Sequence, residues 1–238
     1  IPGVLVLSLF FASGALGLIY QVVWSRMMMQ VFGSTALAVG TVLAAFMSGM
    51  AAGAWLIGKA ADRSGNCLRL YAWLEIGLGL AALASHLLLS RLGPAHLAIY
   101  DLVGSSTALF APTRFILAFV LVMAPTVMMG ATLPVLARFL TTSRNLVGVN
   151  LSTLYAVNTF GAVSGVMLTG FFLIGRYGIH FPVYLAVSGN LLIGIIAWLA
   201  SSRYRGVTDT PAPRVRAATH HVTGAFPPLG KGAYRIIL

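Results

Sequence analysis

Of the four acidic residues in this 238-residue chain, Glu75 alone falls inside a long stretch otherwise free of charge. An ionisable group surrounded by hydrocarbon is costly unless it finds a partner. Glu75 is therefore a candidate cation or proton site. The competing reading is an ion pair between helices, with Arg63 or Arg69, or hydrogen bonds to neighbouring backbone. Gln21 and Arg26 close one apolar stretch, Asn158 and Asn190 sit within two others, and Tyr20 and Tyr155 lie close by. Tyr20, Gln21, Tyr155 and Asn158 join Glu75 as the candidate polar or cation site, against the simpler reading of interhelical hydrogen bonds without a ligand.

Other chemistry is excluded by what each residue lacks. His86 has the donor type of a haem or proton ligand, but no second histidine is expected at its depth, since His96 and His180 fall in loops. Cys67 is the single cysteine, so it forms no internal disulfide and has none of the Cys/His company of a zinc site. Ser13, Ser48, Ser164 and Thr126 read as packing or backbone-bonding residues. No nucleophile, base or metal set gathers at one depth, and neither a catalytic residue nor a cofactor is expected.

The elements that position these residues follow from composition. Only 8% of the residues are charged and 59% are hydrophobic, with a mean hydropathy of +0.93. That leaves too little polar surface for a water-soluble globule and excludes a cytosolic enzyme. Roughly 20 apolar residues in a helix cross a bilayer core. Six stretches qualify: Pro2 to Trp24, Thr35 to Gly58, Leu70 to Ser90, Phe115 to Ala137, Val147 to Gly175 and Phe181 to Ser201. The fold class is thus an all-α integral membrane protein with six transmembrane helices, residues 1–201. From Ser202 the composition turns to Arg, Thr, Pro and His, which marks 202–238 as a basic, Pro-rich tail or linker.

Basic residues in short loops resist translocation, so their distribution sets the orientation. Lys59, Arg63, Arg69, Arg138, Arg144, Arg203 and Arg205 follow spans two, four and six, whereas Arg26, Arg91, Arg114 and Arg176 lie on the opposite side. Both termini are expected to be cytoplasmic, with Glu75 in the first two turns of span three, nearer that face than the midplane. The net charge of +11 fits contact with anionic lipid better than with nucleic acid. Trp24 and Tyr177, near span ends, fit the interfacial aromatic belt. The first stretch lacks the basic leader of a removable signal peptide. The segment from Arg91 to Arg114 fits an interfacial or re-entrant helix.

Gly49 with Gly53 and Gly161 with Gly165 form small-xxx-small pairs that let helix backbones approach closely. Pro125 and Pro134 interrupt span four, and the carbonyls they free either face a cavity or accompany a bend.

Between spans two and three the chain reads Gly58-Lys59-Ala60-Ala61-Asp62-Arg63-Ser64-Gly65, which resembles the Gly-x-x-x-Asp-Arg-x-Gly loop of major facilitator transporters. That resemblance implies a latch role for Asp62 and Arg63 at the helix ends, and a fold like one half of a major facilitator. A wider resemblance rests on Ser13-Gly14 with Gly17-Leu18-Ile19-Tyr20-Gln21-Val22-Val23-Trp24-Ser25-Arg26, on Thr41 to Met47 through Arg63, on Met128 to Pro134, and on Leu154 to Gly161. With these stretches the chain is similar to the membrane domain of bacterial proteins that fuse a multi-spanning region to a spermidine synthase. The resemblance implies a bacterial inner membrane location and a non-catalytic anchor or transport-like module for a polyamine-related partner. The partners implied are the lipid bilayer, a soluble synthase domain, and other membrane subunits or a second six-helix unit. The alternative is an accessory subunit of a larger membrane complex. No aminopropyltransferase domain is expected within this chain, because no Gly-rich strand-to-helix turn and no acidic pair for an amine are present.

Overall fold

The computed structural model describes residues 2–32, 35–61, 64–103, 107–140 and 147–203, and among them all regular structure is helical. The helices are α1 (Pro2–Phe32), α2 (Thr35–Ala61), α3 (Cys67–Val103), α4 (Thr107–Leu140), α5 (Val147–Leu168), α6 (Ile174–Tyr177) and α7 (Phe181–Arg203). A π-helical turn, Thr169–Leu173, joins α5 to α6. Six helices are long and apolar enough to cross a membrane, as the composition predicts.

The ends differ from the sequence expectation in two places. The first helix continues past Trp24 to Phe32, so Arg26 lies on its surface rather than in a loop. Among the described residues of 91–114 there is no separate interfacial helix: α3 runs on to Val103 and α4 starts at Thr107. At ~1.5 Å per residue α3 is about 55 Å long, well beyond the roughly 30 Å hydrocarbon core. Asp62, Arg63 and residues 204–238 lie outside the described residues.

Helix pairing repeats within the molecule. The closest pairs are α2 with α4, α1 with α5, α3 with α7 and α3 with α4, followed by α1 with α7 and with α2. If α1, α2 and α3 are exchanged for α4, α5 and α7, the α1–α5 pair becomes α4–α2 and the α3–α7 pair maps onto itself. The contacts of α1 with α7 and α2 become those of α4 with α3 and α5. All of these pairs touch. The glycine pairs repeat too. In α2, Gly49 lies against Thr126 and Gly53 against the Val127 carbonyl of α4, while in α5, Gly161 and Gly165 lie against the Phe11 and Ala15 carbonyls of α1. Both expected packing pairs are therefore at helix contacts where a side chain would collide with a neighbouring backbone or the Thr126 hydroxyl.

Pro125 has no N–H to give the Leu121 carbonyl one turn earlier. Ser85 of α3 donates to that carbonyl at 2.6 Å, so the freed acceptor meets a neighbouring helix rather than a cavity.

Two apolar layers fill the interior. One gathers Phe10, Leu68, Leu136 and Ala197, and the other Val23, Phe46, Val122 and Val183. Trp55, Trp73 and Trp198 are exposed. Each lies five or six residues from its helix end, and all three ends belong to the first layer's side of the bundle. Such a ring of tryptophans at one depth is where a membrane–water interface would sit. Tyr177 is exposed at the other end, as expected, but Trp24 is not. Two turns before the end of α1, Trp24 is fully buried, stacked on Tyr20 with ring centroids 5.3 Å apart and packed against Phe46 of α2.

Candidate functional site

Three helices bring polar side chains together between the two apolar layers. Asn66 begins α3 as its N-cap: its side-chain oxygen accepts from the Arg69 N–H at 2.9 Å, while its amide nitrogen donates to the Ser201 carbonyl of α7 at 3.2 Å. One residue thus starts α3 and ties it to the last turn of α7. Higher up, Gly79 keeps the two helices close. A methyl built there would sit 3.3 Å from the Asn190 Cβ and 3.4 Å from the Val187 carbonyl oxygen.

Close approach lets Asn190 reach Glu75. The Asn190 side-chain nitrogen donates to Glu75 Oε2 at 2.6 Å, and Ser13 Oγ of α1 donates to Oε1 at 2.6 Å. Tyr20 Oη, also on α1, donates to the Asn190 side-chain oxygen at 2.8 Å. The tyrosine sets the orientation of the amide, which turns its NH2 toward the acid. Tyr71, one helical turn before Glu75, is fully buried at the same place, its hydroxyl without a regular hydrogen bond. Glu75 itself is fully buried.

Both carboxyl oxygens are therefore occupied by neutral donors, and among the described residues no basic side chain pairs with Glu75. The hydrogen-bond reading of Glu75 is the one the geometry fits, with side-chain donors in place of backbone. Glu75 lies in the first half of its span, ninth of the 25 residues of Cys67–Arg91, and its partners Ser13 and Asn190 lie near the middles of theirs.

Only two of the five grouped candidates meet. Tyr20 and Glu75 share the network through Asn190, with Ser13 as the second donor to the acid and Tyr71 buried beside them. Gln21 is half-buried on α1, and its side chain takes no part in the network among the described residues. Asn158 packs on Gly14 in the α1–α5 contact, and Tyr155 is exposed on the outer side of α5.

A second polar contact was not foreseen. His86, buried on α3, has Nε2 3.0 Å from Nδ1 of His180, which stands just before α7, and the rings meet edge to face. The expectation that no second histidine reaches the depth of His86 is corrected. The turn at Gly178, with φ of 78°, closes α6 and delivers His180 to the bundle end. Tyr184 packs edge-on against His86, whose Nδ1 is buried without a partner. Among the described residues no group of three or more His, Cys, Asp or Glu side chains is placed to hold a metal.

Among the described residues, fold and site define an all-helical protein with six membrane-length helices and an internal acid, Glu75, held by hydrogen bonds across three of them. Compared with known proteins, the chain matches no family model, no curated protein and no solved structure.

Proposed function

We propose that the chain is a non-catalytic membrane module, resembling the membrane part of the fused spermidine synthases, that anchors a polyamine-related partner. The observation that carries this reading is the closure of its polar centre. Glu75 is fully buried with both oxygens occupied. A site that exchanges a cation from water needs a wetted carboxylate, whereas one that fixes three helices in register needs a satisfied one. The repeated pairing of two three-helix sets supports the likeness to one half of a major facilitator, whose halves are built from such triplets. A bacterial inner membrane with both termini cytoplasmic follows from the same likeness and from the basic residues.

The alternative, an accessory subunit in a larger membrane complex, has an observation of its own. Only 22% of the fifth span is buried, against 33% to 50% of the other five. Phe160, Phe171 and Phe172 stand out from it with about 70% exposure each, a face suited to a second six-helix unit.

Native mass spectrometry of the mildly solubilised protein tests both readings. Recovery with a soluble synthase supports the anchor, and recovery with other membrane subunits supports the accessory role. Uptake of labelled spermidine by vesicles holding this chain alone would overturn the anchor reading in favour of transport.

A further inference from the structure

One face of α1 is left partly open between α5 and α7. Ala15 and Ile19 form its floor, Gly165 and Leu168 one wall, and Leu185 and Gly189 the other, around an apolar groove of 540 Å³. A second hollow of 430 Å³ lies farther along the same helix, lined by Arg26, Met29, Gln30, Ile174 and Ile179. Helical spacing joins them: Ala15, Ile19, Val22, Arg26 and Gln30 follow one another by three or four residues and share one face. The same parts of the chain border both: Leu168 of α5 lines the groove and Ile174, just past the π-helical turn, lines the hollow, while Leu185 of α7 lines the groove and Ile179, just before α7, lines the hollow. Arg26 is exposed, and among the described residues it has no acidic partner. Two hollows thus lie along one face of α1, and the second is lined by a guanidinium that has no acidic partner among the described residues.

We propose that this face binds one anionic phospholipid, with an acyl chain in the groove and the phosphate at Arg26. Length and charge both fit. From Phe11, the lining residue of the groove farthest from Arg26 along α1, to Arg26 the helix rises about 22 Å at ~1.5 Å per residue. One leaflet with its headgroups is about 20 to 22 Å deep. A guanidinium takes a phosphate in a bidentate grip, and each basic side chain at an anionic lipid surface contributes about a five-fold preference. A neighbouring apolar helix seated in the groove would leave Arg26 without a counterion.

The test uses the full chain, purified in mild detergent and stripped of lipid, with native mass spectrometry and thermal unfolding as readouts. One phosphatidylglycerol per chain is expected, raising the Tm, with phosphatidylcholine retained about five-fold less and inorganic phosphate without effect. Arg26→Gln, at a surface position outside the packed layers, is expected to erase the difference between the two lipids. Ser188→Phe, which fills the groove from an exposed position, is expected to lower retention of both. Equal retention of the two lipids by the unaltered chain overturns the proposal, as does a phosphatidylglycerol preference that survives Arg26→Gln. Stabilisation by phosphate alone would indicate a free-anion site, and a lipid-free dimer would indicate a second copy in the groove. Either result overturns it too.

Discussion

Two of the seams in this bundle hold by different means. Between α2 and α4 the contact is one of shape: Gly49, Gly53 and Gly130 bring the backbones together, and the Val127 and Met50 carbonyls occupy the space where side chains would be. Among α1, α3 and α7 the contact is one of chemistry, in which Tyr20, Asn190, Glu75 and Ser13 form a chain of hydrogen bonds. Lipid is as apolar as leucine, so neither seam draws on a hydrophobic drive between helices. A shape seam tolerates loss of polarity but not added volume. A polar seam tolerates changes of volume at its edges but not loss of a partner.

The largest effect is expected at the shape seam. Gly53→Leu pushes a branched side chain into the Val127 carbonyl, a backbone group that cannot turn aside. Overpacking of this kind costs about 3 kcal/mol or more where relief needs a helix to move. Loss of the folded fraction in detergent, with labelling of the buried Cys67 thiol, would report it; a normally assembled Gly53→Leu protein would mean that α2 turns another face to α4.

Next comes the polar seam. Glu75→Leu strips an acceptor from both Ser13 and Asn190, and a buried donor left unmade costs about 1 to 3 kcal/mol. Glu75→Gln is expected to cost much less, because the Ser13 hydroxyl can turn and accept from the new NH2. Thermal unfolding of the two variants separates the roles. Equal losses would show that the hydrogen bonds are not what the position contributes. A stable Glu75→Gln protein that no longer recovers the proposed partner would point to a role for the charge itself.

The same contrast explains what the sequence made legible. Six spans follow from charge-free length, and the Gly49/Gly53 and Gly161/Gly165 pairs could be placed at helix contacts because small residues mark close approach. The inward faces were harder to find, since a membrane helix is apolar all round and its core side carries no hydrophobic stripe. Trp24 therefore read as an interfacial residue although it is buried against Phe46 of α2, and Tyr155 and Asn158 grouped with Glu75 although α5 carries them elsewhere. His180 reaches His86 only through the turn at Gly178, a tertiary fact with no local signal. Asn66 did leave one: an asparagine just ahead of a helix is a cap signature, although its second bond, to α7, was not predictable.

A smaller effect, of about 1 kcal/mol, is expected where the bundle repairs its own defect. Ser85→Ala takes the donor from the Leu121 carbonyl that Pro125 leaves without its helical partner. Pro125→Ala restores the N–H, so Ser85→Ala should cost less in that background than in the unaltered chain. The difference between the two costs is the coupling energy of the pair. An identical loss in both backgrounds would show that Ser85 acts by packing and that the proline is incidental to it.

The smallest expected change is at Gly40, a glycine on the same helix as the shape seam but away from any contact. A methyl built there meets nothing within 4 Å, in contrast to Gly49 and Gly53 further along α2. Gly40→Ala should leave assembly intact and, by reducing the freedom of the unfolded backbone, raise stability by no more than about 1 kcal/mol. Thermal unfolding of Gly40→Ala beside Gly53→Ala gives a comparison within one helix. If both lower the Tm alike, α2 needs glycine for flexibility along its length; if only Gly53→Ala does, the requirement belongs to the contact with α4.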